Sequence, residues 1–339
     1  MALSKILPAS QEQYVGARNL LTNGNMACSQ RATQATGVSG YIAVDRFRTT
    51  IASAFDELAL THEQSTDAPT GFSNSYKITV STPETTLHDD ELLRFEQRME
   101  GQNLQHLKKG TSDAEAVTLS FWVKGSVTGT YTVNILDQDN TRAIAKSYTI
   151  NSANTWEYKT IEFSGDTTGA LDNDNAQSLA VVWNLAAGTD RTIGTLATSW
   201  EANTAANLAV GQTDIVTTSG ATWQITGCQL EVGSATPFEH EPFSVTLQKC
   251  QRYYFIVEDS SVNSRLNATS TSSHYLAEYS FPETMRAIPT ATEITAPTLF
   301  NCGTFSVSST NNSASFRVFP LGTGAYYAKS YDYGFDSEL

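Results

Sequence analysis

The sequence predicts an all-β protein, a jelly-roll β-sandwich followed by a smaller C-terminal β-sandwich domain, on three observations. Apolar and polar residues alternate strictly in many short stretches, the period of half-buried strands. The polar positions hold Thr, Ser and Asn more than Lys and Glu, which favours strands and turns over surface helices. Gly and Asn turn signals separate the stretches at short spacing.

The clearest stretch is Val117 to Gly125, with Val117, Leu119, Phe121 and Val123 on one side and Thr118, Ser120, Trp122 and Lys124 on the other. Tyr131, Val133 and Ile135 repeat the pattern after Gly125 and Gly129, so a hairpin is the simplest expectation. Before it, Asn19 to Met26 reads as a short strand entering a turn at Asn23-Gly24. Tyr76, Ile78 and Val80 mark a strand ended by Pro83. Leu93, Phe95, Gln97 and Met99 alternate with Arg94, Glu96, Arg98 and Glu100, a strand with a charged outer face. Residues 103–109 suit a turn or two of helix.

Strands follow at Ser147 to Ile150, Trp156 to Phe163, and Leu179 to Leu185. Residues 188–220 form a long Thr- and Ala-rich excursion that contains Trp200, a length that points to a functional or packing loop. In Thr222 to Val232, Gly227 is expected to mark a bulge that resets the alternation. The expected division is an arm at 1–17, a jelly roll at 18–243, and a β-rich domain at 244–339 that opens with a short helix.

Composition limits the function. At 339 residues the chain can bury more than one core. A formal charge of -14 argues against a nucleic-acid partner, which needs Lys and Arg at its phosphates. The same charge argues against an anionic membrane surface, and no apolar run suits membrane insertion. The apolar group around Ile6 and Leu7 is too short for a secretory leader, so synthesis in a cytoplasm is expected. Cys28, Cys228, Cys250 and Cys302 lack metal-ligand or redox spacing and read as free and structural.

Trp122 is the aromatic that the outward side of its strand does not require. With Arg94, Glu96 and Arg98 it could form a sugar-stacking, hydroxyl-binding surface if their strands are neighbours, though packing under a loop or against another subunit is the plainer reading. Trp156, Trp183 and Trp223 read as core or strand-end packing. Tyr326, Tyr327 and Tyr331 belong to an aromatic C-terminal stretch of the kind recognition surfaces use, where strand alternation would bury about half of the rings. Glu239-His-Glu241 is a poor chelate because neighbours on an extended chain point apart. Asp172 and Asp174 read as solvated turn residues rather than calcium ligands. No nucleophile elbow, phosphate loop or zinc-binding helix is present, and no catalytic residue or cofactor is assigned.

An ordered set of segments resembles the carbohydrate-binding-module-like jelly roll of bacteriophage tail-fibre and related virion proteins. Its members are Leu119-Ser-Phe-Trp-Val-Lys124, Gly129-Thr-Tyr-Thr-Val133, Tyr148 to Lys159, Asn19 to Asn25, Asp45-Arg-Phe47, Glu100-Gly101 with Gly110-Thr111, Ile225 to Gly233 and Ala235-Thr-Pro-Phe238. The resemblance covers roughly residues 18–255. Cys250 to Tyr254 and Phe281 to Thr290 resemble the start of the β-domain that follows in those proteins. It implies a non-enzymatic virion component, a homo-oligomer and often a trimer, that binds a host-surface glycan and attaches to other virion proteins through the arm. Related jelly rolls often hold a structural calcium, but Met26-Ala27 stands here where those have an aromatic and an acid. A polysaccharide depolymerase or esterase and a purely structural spacer remain the competing readings.

Overall fold

The computed structural model describes residues 18–37, 39–258, 266–268, 274–329 and 331–339. The arm expected at 1–17 lies outside the described residues. The chain is all-β, with one nine-residue helix and a few single 3-10 turns among the described residues.

In chain order the first unit contains β1 (Gln34–Thr36), β2 (Arg48–Ile51), β3 (Ala59–Ser65), β4 (Ser75–Thr82), β5 (Leu92–Glu100), β6 (Val117–Gly125), β7 (Gly129–Asp137), β8 (Arg142–Ile150), β9 (Glu157–Phe163), β10 (Gln177–Ala187), β11 (Glu201–Ala202) and β12 (Thr222–Val232). They form two six-stranded antiparallel sheets, β1-β3-β4-β12-β6-β9 and β11-β8-β7-β10-β5-β2. The sheets enclose one apolar core, in which Phe95 meets Tyr76, Trp183 and Trp223 at centroid distances of 4.7, 6.0 and 5.4 Å. Trp183 and Trp223 are fully buried, as their alternation predicts.

The alternation identifies β6 and β7, but the two strands do not form a hairpin. β6 pairs with β12 and β9 in the first sheet, whereas β7 pairs with β8 and β10 in the second. Both strands bury an apolar side, so the link Ser126–Thr128 can carry the chain across the core instead of back along one sheet. The Ser126 N–H donates to the Thr222 carbonyl at 2.9 Å on the way. Nor is Asn19 to Met26 a strand. The Asn19 carboxamide oxygen accepts the Leu21 and Leu230 N–H groups, and this local Asx turn replaces ladder pairing. The turn at Asn23-Gly24 is present, with the Gly24 carbonyl accepting the Cys228 N–H.

The second unit opens with α1 (Phe243–Gln251) and continues through β13 (Tyr254–Val257), β14 (Leu266–Ala268), β15 (His274–Ser280), β16 (Thr290–Thr295), β17 (Thr298–Phe300), β18 (Cys302–Ser309), β19 (Ser313–Pro320), β20 (Gly324–Lys329) and β21 (Asp332–Asp336). Three small antiparallel sheets surround a core of their own, in which Phe316 lies 5.2 Å from Tyr331 and contacts Tyr333 and Phe335. The residues from Tyr326 to Tyr333 divide between β20 and β21 instead of forming one strand.

Candidate functional site

Cross-strand register puts Trp122 beside Tyr158 on the outer side of the first sheet, with ring centroids 5.3 Å apart. Among the described residues of the first unit, Tyr158 is the most exposed large aromatic, at 46%. Two connections rise over this end of the sheet. The β3–β4 loop contributes Thr70, Gly71 and Phe72, and the segment after β12 contributes Ala235, Pro237, Phe238 and His240. Phe72, Phe238 and His240 pack mutually at 4.9 to 5.2 Å. Together with Trp122 and Tyr158 they line an open groove of about 550 Å³.

The segment after β12 is fixed from beneath. The Glu231 carboxylate accepts the Thr236 N–H and hydroxyl at 2.8 and 2.6 Å, and the Gln229 carboxamide accepts the Glu239 N–H at 2.8 Å. Glu239 in turn accepts the N–H groups of Arg18 and Asn19. Glu241 pairs with Lys249. The three residues 239–241 therefore serve three different contacts and form no chelate. Gly227 makes the floor possible. Its φ of +63° lies in the left-handed region, at the register shift between Thr226 and Gln229. A Cβ there would stand 2.7 Å from the Phe72 ring and 3.2 Å from Trp122.

The groove offers apolar ring faces with a few polar edges. Among the described residues the Trp122 indole N–H, the Tyr158 hydroxyl and the His240 imidazole have no hydrogen-bond partner. Apolar faces stack on the C–H face of a sugar ring, and open polar edges can meet its hydroxyls. Beyond the groove, Lys124 pairs with Asp67, which also accepts the Trp156 indole N–H at 3.2 Å. Hydrogen bonding from Lys124, ahead of that from Trp156, holds the Asp67 carboxyl below the usual carboxylate range.

Arg94, Glu96 and Arg98 do not join Trp122. They lie on β5, in the second sheet, so the two sets occupy opposite outer faces of the sandwich. Glu96 there accepts Arg98 Nε and the Thr50 hydroxyl, both at 2.9 Å, and lies 3.2 Å from Arg94 Nε. Tyr326 and Tyr331 are fully buried in the second core, so neither presents a recognition surface. Tyr327 is half-buried and stacks on Phe300 at 5.2 Å. Sequence reading also passed over Tyr158, Phe72, Phe238 and His240. Three of these sit on loops or beyond the last strand, where no alternation reports their direction.

Among the described residues one group of three side chains has metal-ligating atoms close together, namely Cys28, Asp45 and Cys250, all buried. Asp45 is already committed, with Oδ2 accepting Gln30 Nε2 at 2.7 Å and the Cys28 thiol at 3.1 Å. All four cysteines are free and buried. Contact with Cys250 and burial push the Cys28 thiol far above its ordinary value. Asp174 Oδ1 accepts the Ala176 N–H in an Asx turn.

No family model and no curated protein matches the chain. Among solved structures, the chain is similar to the enzymatically active domain of tailspike protein 4 of bacteriophage CBA120, at 13% identity and a TM-score of 0.33 over 64% of this chain and 22% of that one. It spans less than a quarter of that domain's length. It is also similar to the family 11 carbohydrate-binding module from Clostridium thermocellum in complex with a β-1,3-1,4-mixed-linked tetrasaccharide, at 10% identity and a TM-score of 0.30 over 57% of this chain and 91% of that one. A third is the CBM22-1 xylan-binding domain from Paenibacillus barcinonensis, at 12% identity and a TM-score of 0.28 over 64% of this chain and 96% of that one.

Proposed function

We propose that the chain is a non-enzymatic glycan-binding component of a phage fibre, holding a sugar against the groove of Trp122, Tyr158, Phe72, Phe238 and His240. The observation that carries this is the groove itself, with its exposed ring faces and unpartnered polar edges on a rigid sheet. The ordered resemblance of residues 18–255 to virion jelly rolls supplies the setting. A groove this open would bind one sugar weakly, and symmetric copies in a homo-oligomer such as a trimer would supply avidity.

The test is binding of the full chain to purified host-envelope glycans, with Trp122→Ala and Tyr158→Ala as variants. Loss of one stacking ring is expected to weaken binding about ten-fold with no change in melting temperature. Glycan fragments released during incubation would support a depolymerase instead. Absence of binding to any host glycan, with the protein present in virions, would support a structural spacer.

A further inference from the structure

The outer face of the second sheet carries a concentration of positive charge at odds with a chain of net charge -14. Register places Arg48 opposite Glu96 and Thr50 opposite Arg94 on adjacent strands β2 and β5. Arg94 itself pairs with Asn184 of β10, and Arg191 follows that strand in the turn Thr189–Arg191. Three arginines thus gather around one carboxylate, and the charge of a fourth, Arg191, reaches Arg94. The side chains of Arg48, Arg94 and Arg98 remain 19 to 23% exposed, while that of Glu96 is 2% exposed.

The carboxylate satisfies Arg98, which donates Nε to it at 2.9 Å and Nη1 to the Leu339 backbone oxygen at 2.9 Å, but not the other arginines. Arg48 Nε stands 3.7 Å from Glu96, outside hydrogen-bond range, and Arg94 Nε at 3.2 Å lacks hydrogen-bond alignment. Arg191 Nε is buried without an acceptor, and its side chain has no hydrogen bond or ion pair among the described residues. Of the other nearby acids, Glu338 pairs with Arg46 and Arg31, while exposed Asp90, which accepts the Ser53 hydroxyl at 2.7 Å, faces the Arg191 charge only beyond ion-pair distance. Burial first, and then the charges of Arg98, Arg191 and Arg48, disfavour the Arg94 cation, with Glu96 alone opposing.

We infer that Arg48, Arg94, Arg98 and Arg191 form a binding site for an oxyanion, a carboxylate or sulfate group, on the face opposite the aromatic groove. Planar guanidinium groups bind both anions through paired N–H donors, and Glu96 orients them without neutralising them. The excess charge and the unused donors are what a ligand oxyanion would satisfy. The anion could be free, or carried by an acidic polysaccharide on uronate or sulfate groups.

The experiment titrates the full chain calorimetrically with inorganic sulfate and, separately, with polygalacturonate, against uncharged dextran. Arg191→Gln is the variant of choice because that side chain makes no hydrogen bond or ion pair among the described residues. Expected are sulfate binding at one site per chain and weakening of about ten-fold in Arg191→Gln, with a melting temperature in anion-free buffer equal to that of the wild type. Trp122→Ala should retain full sulfate binding, which separates this site from the aromatic groove. Retention of both sulfate and polygalacturonate supports the site with an acidic polysaccharide as ligand; sulfate alone supports it with a free anion. Wild-type binding of neither, or binding unchanged in both Arg191→Gln and Arg94→Gln, overturns the inference.

Discussion

Arg46 of the jelly roll and Glu338 of the second unit form an ion pair whose side chains are 2% and 4% exposed. The Arg46 guanidinium also covers the Tyr253 ring at 3.4 Å and donates to the Arg98 carbonyl at 2.8 Å. Arg31 supports the pair from the side, binding Asp336 at 2.9 Å and lying 3.5 Å from Glu338. Arg252 and Tyr253 extend the same junction to Glu100, the last residue of β5. Buried charges of this kind cost much to desolvate and tolerate the loss of a partner poorly.

Glu338→Ala is therefore expected to destabilise the protein by roughly 3–5 kcal/mol, because Arg46 would be left buried and uncompensated. Calorimetry should show the melting temperature fall, with the second unit melting ahead of the first as the junction loosens. A single unfolding transition at an unchanged temperature would contradict the role assigned to the pair.

Gly227 controls the shape of the groove. An alanine there meets the Phe72 ring at 2.7 Å and must also hold a φ of +63°, so the mutant pays in strain and in displaced aromatics. Gly227→Ala is expected to cost about 1–3 kcal/mol of stability and to weaken glycan binding more than Tyr158→Ala does, since it moves two walls at once. Denaturant unfolding and glycan titration on the same preparation check both effects.

The strands of the sandwich were legible because each buries one side against a common core, which writes period two into the sequence. Val117 to Gly125 has the bounds expected of it, and Gly227 is the bulge that interrupts β12. Partnering was not legible. Alternation tells which side of β6 faces inward but not which strand lies beside it, so β7 was placed in a hairpin and Arg94 was grouped with Trp122. The groove was only half visible for a similar reason. Trp122 broke an alternation, whereas Phe72 and Phe238 stand on connections that follow no period, the second of them held by the N–H groups of Thr236 and Glu239 donating to Glu231 and Gln229.

The C-terminal tyrosines separate by burial in a way that can be measured. Tyr331 is fully buried against Phe316 and Phe305, at 5.2 and 4.8 Å, while Tyr327 is half-buried and stacks on the exposed Phe300. Tyr331→Ala is expected to cost about 3–5 kcal/mol by opening a cavity in the small second core. Tyr327→Ala should cost about 1 kcal/mol, the value of a stacked pair plus partial burial. Equal losses in thermal unfolding would show that both rings are held alike.

His62 of β3 gives the fold a pH dependence whose sign can be worked out. Its ring is fully buried, with Nε2 2.8 Å from the Gly37 carbonyl and Nδ1 3.1 Å from the Tyr76 hydroxyl. The contact with a carbonyl places the proton on Nε2, leaving Nδ1 to accept from Tyr76. Burial lowers the imidazole to about 4 from its ordinary 6.5, with the Gly37 carbonyl opposing. Between those values the unfolded chain binds a proton that the folded chain refuses, so stability rises with pH across that window. The contribution is complete above about pH 6.5 and is lost as pH falls toward 4, on the order of 3 kcal/mol in all. Urea unfolding between pH 7 and 4 should show this decline in the wild type. In His62→Gln, which keeps a donor for the Gly37 carbonyl but does not titrate, the slope over the same interval should flatten while stability at pH 7 falls by about 1 kcal/mol. An unchanged slope in that variant would assign the acid sensitivity over that interval to other groups, and Glu157 is not one of them. Lys159 and the N–H groups of Ser152 and Asn151 outweigh burial there and hold that carboxyl at about 2, so its contribution would be lost only below the histidine window.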